Sequence, residues 1–130
     1  MADRVTFVPA FTQGQALELY RGAHVLLHPK YHDPCPTVPI EAMACGIPVV
    51  GSRSGGMPEL VGEEGGRLIE IPLSWDEATA PPADQMASAV QELMRDWPTH
   101  SAAARERAER LFDHTAWVEQ HARIFREVLA

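Results

Sequence analysis

The chain has 130 residues, 45% of them hydrophobic and 22% charged, which is the size and make-up of one globular domain able to bury a sizeable core. Its formal charge of −7 excludes a binder driven by a nucleic-acid backbone, because such binding needs a basic face to release counterions. No apolar run approaches the ~20 residues that span a bilayer and no signal-peptide core stands out; the two cysteines, Cys35 and Cys45, make no disulfide framework, so a cytoplasmic protein is expected.

In chain order, Val5-Thr-Phe-Val8, closed by Pro9, reads as a buried strand. Thr12 is placed to cap a helix that carries Ala16, Leu17 and Tyr20 on one face and ends near Gly22. Ala23-His-Val-Leu-Leu-His28 is a second strand, stopped by Pro29, and residues 30–36 form a polar, proline-punctuated surface turn. A helix then runs from Thr37 to Cys45; Pro39 is tolerated in its first turn and Gly46 ends it in a left-handed conformation. Ile47-Pro-Val-Val-Gly51 is a core strand, apolar on both sides as parallel strands covered on both faces are. Ser52-Arg-Ser-Gly-Gly-Met-Pro-Glu59 is a glycine-rich turn into a short helix ending at Val61, and Arg67-Leu-Ile-Glu-Ile71 is a fourth strand.

After Pro72 the pattern changes. Residues 74–82 are an acidic, proline-containing loop, followed by a helix with Met86, Ala89, Val90, Leu93 and Met94 on one face. The next helix, from Ala102 to Leu111, carries the run Arg105-Glu-Arg-Ala-Glu-Arg110, which reads as a solvated face with i,i+4 pairs. The last, from Trp117 to Leu129, has Trp117, Val118, Ile124, Phe125 and Val128 as an apolar stripe. Trp75, Trp97 and Trp117 do not share a stripe and are expected to be packing anchors. The fold class is therefore α/β: a partial doubly wound, Rossmann-like parallel sheet of about four strands with a helical C-terminal tail. It is one domain over residues 1–130, its motif-bearing part being 1–72 and its helical part 82–130. Because the order begins without a glycine-rich first turn, the chain looks like the second half of such a domain.

The chemistry concentrates between Asp33 and Glu41. Asp33 follows a strand end, where a carboxylate can accept hydrogen bonds from sugar hydroxyls, or it is simply a turn former before Pro34. Glu41 sits one turn inside a helix whose free N–H groups and positive end suit an anion, with the Thr37 hydroxyl at its mouth; alternatively it is an acid complementing the helix dipole. Arg53-Ser-Gly-Gly is either an anion nest or a plain turn. His28-x3-His32-x2-Cys35 has zinc-like spacing, but two intervening prolines and no evident fourth ligand argue against a site, and no metal is expected. Cys45 is expected to be a small buried core residue and Cys35 the exposed thiol.

The series Val5-x-Phe, Ala23-x-Val, Asp33-x7-Glu41-Ala-Met-Ala-Cys-Gly-x-Pro-Val-Val, Gly55-Gly56-x-Pro-Glu59 and Gly66-x-Leu resembles the donor-binding half of the GT-B retaining glycosyltransferases of family 4, the glycosyl transferases group 1, over residues 4–71. The resemblance implies transfer of a hexose from a nucleotide-diphospho-sugar substrate with no cofactor. It places Asp33 at the catalytic acidic position near the transferred sugar and Glu41 on the ribose hydroxyls. The amides of the turn formed by Pro36, Thr37 and Val38 would face sugar and diphosphate, Arg53, Gly55 and Gly56 would complete the donor site, and Ala10 and Phe11 would lie near the base. Three positions depart from the family: Asp33 replaces a glutamate, Pro36 stands where many members have glycine and lacks an amide, and Pro9 replaces a glycine. The family's upstream diphosphate-binding cations and its acceptor domain are not in these residues, so the chain alone is expected to be inactive. A missing N-terminal acceptor domain or a second copy would be its partner, with peripheral membrane attachment open for the full-length protein. The alternative is a non-catalytic nucleotide-binding or protein-interaction module of the same fold.

Overall fold

The computed structural model describes residues 2–74 and 76–129. Among them, three short apolar runs pair as a parallel sheet in the order β1 (Leu26–His28), β2 (Val49–Ser52), β3 (Gly66–Ile69), with Leu26 opposite Val49 and Val49 opposite Gly66. Parallel neighbours need a crossover, and α2 (Thr37–Ala44) and α3 (Met57–Val61) supply the two. Helix α1 (Gln13–Arg21) precedes β1, and α4 (Ala83–Arg95), α5 (Trp97–Leu111) and α6 (His114–Leu129) follow β3.

Every residue of β2 is buried, because the central strand is covered on both faces. Alternation along it divides the core. Val49 packs with Met43, Met57, Val61, Ala104 and Ala108, so α2, α3 and α5 cover one face; Val50 packs with Ile69, Ala89 and Leu93, so α4 covers the other.

The α/β class with a helical C-terminus is as expected, but the sheet has three strands among the described residues, not four. Val5-Thr-Phe-Val8 makes no sheet pairing, and Phe7 is 90% exposed. The reason is topological. In the doubly wound order 3-2-1-4-5-6, three consecutive strands lying side by side correspond to 4-5-6, and the strand before them in sequence belongs beyond two others. The run has the composition of a strand and no neighbour to pair with.

Helix α2 ends as its glycine predicts. Gly46, at φ +74°, donates its N–H to Met43 O at 2.8 Å, and the Ile47 N–H donates to Ala42 O at 2.9 Å, a Schellman closure. Ala42 and Met43 supply the buried face of this turn; Cys45, at the C-cap, is exposed rather than part of the core. From α5, Ser101 Oγ donates to Gly46 O at 2.6 Å and Arg105 donates to Ala44 O.

Helix α5 begins at Trp97, ahead of the expected Ala102, with Pro98 in its first turn where the missing N–H is harmless. Trp97 is an anchor, donating from its indole to His24 O at 2.8 Å. Trp75 lies outside the described residues. Trp117 is exposed and stacks on His121 of its own helix, and the α6 stripe as a whole stays unburied. The charge run on α5 is only partly a solvated face. Arg105 pairs with Glu109 at 2.7 Å, but the Arg107 side chain is 13% exposed and donates to Glu59 O at 2.7 Å and Leu60 O at 2.9 Å. It thereby satisfies the orphan carbonyls that end α3. No helix among the described residues is long and apolar enough to cross a membrane.

Candidate functional site

β1 delivers the chain to residues 29–36 at the carboxyl edge of the sheet, and α2 starts from there. That loop is fixed by the turn after β2. Ser52 Oγ donates to Lys30 O at 2.6 Å, the His32 N–H donates to Ser54 Oγ at 3.2 Å, and the Gly56 N–H donates to Asp33 O at 2.8 Å. Ser52 and Ser54 are buried. Gly55 has φ +58°, and a Cβ there would sit 2.2 Å from Asp33 O; one at Gly56 would sit 2.2 Å from Pro34 O. The two loops thus press backbone against backbone and open at the same sheet edge.

Asp33 is largely buried, its side chain 13% exposed, with Oδ2 at 3.1 Å from Lys30 Nζ and 3.3 Å from His28 Nε2. The hydrogen bond from Lys30, then its charge and the contact from His28, hold this carboxyl below the usual carboxylate range against the opposing effect of burial. A lowered pKa stabilises the fold fully above about pH 4, and that contribution is lost as pH falls through the depressed value. At neutral pH Asp33 is an ionised acceptor.

Pro36 is the N-cap of α2 and no side chain caps this helix. Pro36 is buried and Thr37 and Val38 are exposed, so the first-turn amides carry partial positive charge at an open surface. One turn in, exposed Glu41 accepts a hydrogen bond at Oε2 from the Tyr20 hydroxyl at 2.8 Å. Burial, then the hydrogen bond to Glu41 and its charge, then Cys45, push the Tyr20 phenol up to about 12. Against an ordinary phenol value of 10, its contribution to stability is complete below about pH 10 and disappears as pH rises through 12. A spectrophotometric tyrosinate titration is expected to show one phenol ionising near 12, moving down but not fully back in Glu41→Gln, because burial remains. An unmoved titration in that variant contradicts the contact.

The two nearby cations are both engaged by carboxylates. Lys30 pairs with Asp33, and Arg53 pairs with Glu63 at 3.0 Å and Glu70 at 2.9 Å. Ala10 and Phe11 are not gathered with the loop; they line a separate depression of about 450 Å³ with Val8, Pro9, Gln15, Glu18 and Leu19. Among the described residues no three His, Cys, Asp or Glu side chains converge as metal ligands, so His28, His32 and Cys35 are not assembled into a triad. Four contributors escape sequence reasoning: Ser52, Ser54, His28 and Tyr20. Only the serines had a signal, two small hydroxyl residues alternating at a strand end before Gly55.

The model of the family described as glycosyl transferases group 1 matches residues 1–110. A D-inositol 3-phosphate glycosyltransferase of Mycolicibacterium vanbaalenii is 37% identical over 105 residues, covering 78% of this chain and 23% of its own length. An alpha-maltose-1-phosphate synthase of Mycobacterium tuberculosis is 36% identical over 123 residues, covering 92% of this chain and 31% of its own length. Among solved structures, the sucrose-phosphate synthase of Thermosynechococcus elongatus superposes with a TM-score of 0.80 at 33% identity, over 98% of this chain and 31% of that one. The chain spans less than a third of each of these relatives.

Proposed function

The chain belongs to the glycosyl transferases group 1 family, and from that membership we propose that it is the donor-binding portion of a retaining glycosyltransferase that moves a hexose from a nucleotide diphosphate to an acceptor. The observation that carries this is the uncapped N-terminus of α2 at the carboxyl edge of the sheet, with Asp33 at its mouth and Glu41 one turn inside. In open α/β sheets ligands bind at that edge, and an uncapped helix start offers backbone donors to phosphate. Glu41 would accept the ribose hydroxyls, Asp33 would accept from the sugar, and the amides of Thr37 and Val38, with Gly55 and Gly56 shaping the wall, would face the diphosphate.

In the reaction the bond from the sugar's anomeric carbon to the diphosphate breaks as a glycosidic bond to the acceptor forms. Positive charge must meet the leaving diphosphate. Lys30 and Arg53 are each held by carboxylates, which supports a chain that binds donor but needs a companion to turn it over. An upstream segment bearing the family's diphosphate-binding cations would bring that charge, and an acceptor domain, or a second copy, would close the open side of the site.

Titration of the chain with UDP and with GDP, followed by amide NMR shifts, tests this. Ribose contacts without diphosphate cations are expected to give a Kd no better than about 1 mM, or ~4 kcal/mol. Shifts centred on residues 37–41 support the reading; saturable shifts centred elsewhere contradict it.

A further inference from the structure

We infer that Tyr20 is a positioning residue for the donor site, holding the Glu41 carboxylate in the orientation that accepts the ribose hydroxyls. The inference rests on Glu41 being the ribose acceptor, as proposed for this chain. Tyr20 lies on α1, outside the motif that carries the site, and reaches across 21 positions of sequence to donate to Glu41 Oε2 at 2.8 Å. Glu41 is exposed on α2, and the hydroxyl of Tyr20 is the side-chain partner the structure gives it.

An ionised carboxylate has about four lone-pair sites on its two oxygens. Tyr20 occupies one site on Oε2, which leaves the other Oε2 site and both sites on Oε1, so that each oxygen can accept one of the two hydroxyls of a ribose. A free glutamate on a helix surface samples several rotamers, and a ligand must order it on binding, which costs affinity. A glutamate already held by a half-buried phenol has part of that ordering done. The same bond aims Oε1, because the carboxylate plane is set once Oε2 is tied.

The consequence is selective for the ribose. Removing the Tyr20 hydroxyl should weaken a ligand that uses both ribose hydroxyls and leave unchanged one that lacks them, whereas a general loosening of α1 or α2 should weaken both alike. The experiment compares UDP with 2′,3′-dideoxy-UDP on the wild type, Tyr20→Phe and Glu41→Gln, by amide NMR titration, with the unperturbed α4 and β2 amide signals as the check that each variant is folded. The wild type is expected to prefer UDP, Glu41→Gln to lose that preference, and Tyr20→Phe to lose about three- to tenfold in UDP affinity with no change for the dideoxy compound. Retention of the full preference in Tyr20→Phe, or equal loss for both ligands, overturns the positioning role while leaving Glu41 as the acceptor. Absence of any preference in the wild type overturns the assignment of Glu41 and the role of Tyr20 with it.

Discussion

Gly55→Ala is expected to destabilise the chain by about 2–5 kcal/mol and to release the Asp33 loop from its seat. Two effects add. Gly55 adopts φ +58°, a left-handed conformation that costs an L-residue roughly 1–2 kcal/mol. Its Cβ would also lie 2.2 Å from Asp33 O and 2.7 Å from Asp33 C, and because those atoms are backbone, no rotamer change relieves the clash. Forcing the two loops apart is a form of overpacking, typically about 1–3 kcal/mol. The displaced segment carries Asp33 and leads into the first turn of α2, so the site is lost before the fold is. Urea unfolding gives the stability change, and hydrogen exchange at the His32 and Gly56 amides, donors to Ser54 Oγ and Asp33 O, reads the loop. Gly14→Ala is the control: it lies in α1 with no atom within 4 Å of the added methyl, and should be neutral or stabilising. Equal effects at the two glycines contradict the packing described.

Met43→Ala should cost about 2–5 kcal/mol, the usual range for emptying a fully buried aliphatic site. Met43 is fully buried on the inner face of α2, in the cluster that joins Val49 of β2, Met57 and Val61 of α3, and Ala104 and Ala108 of α5. Its sulfur lies over Gly65, where a Cβ would come within 2.4 Å of it. The two alanines of α5 are too small to move into the space, so most of the cavity should persist. Domains of this size are held by about 5–15 kcal/mol in all, which makes the loss a large fraction. Met43→Leu keeps the volume and should lose less than about 1.5 kcal/mol. Thermal or urea unfolding of the pair distinguishes cavity from surface behaviour: similar, small losses in both variants would show that α2 is not seated on this core.

What the sequence made legible was what is encoded locally. Gly46 after an apolar helix, Pro39 in a first turn and the doubly apolar Val49-Val50 strand each specify their own conformation, and the structure has α2, its Schellman end and a buried β2 at those places. The run Val5-Thr-Phe-Val8 shows where this stops. Its residues favour a strand, but a strand needs a neighbour, and topology puts none beside it among the described residues. Arg107 and Tyr20 were hidden for a related reason: each is defined by a partner more than 20 positions away, so a charge run and an apolar helix face were all that sequence showed. The motif itself fixed Asp33 and Glu41 at one edge of the sheet, while the base contacts assigned to Ala10 and Phe11 depended on a strand that does not pair.

The most direct test of the donor-site account is UDP titration of the wild type beside Glu41→Gln and Asp33→Asn, read by amide NMR. A glutamine presents one acceptor oxygen where the carboxylate presents two, so Glu41→Gln should lower UDP affinity to that of 2′,3′-dideoxy-UDP. Asp33 is assigned to the sugar, and its amide variant retains an oxygen for Lys30 and His28, so Asp33→Asn should leave UDP affinity nearly unchanged. Equal losses in the two variants, or shifts centred away from residues 37–41, would contradict the division of roles between the two carboxylates.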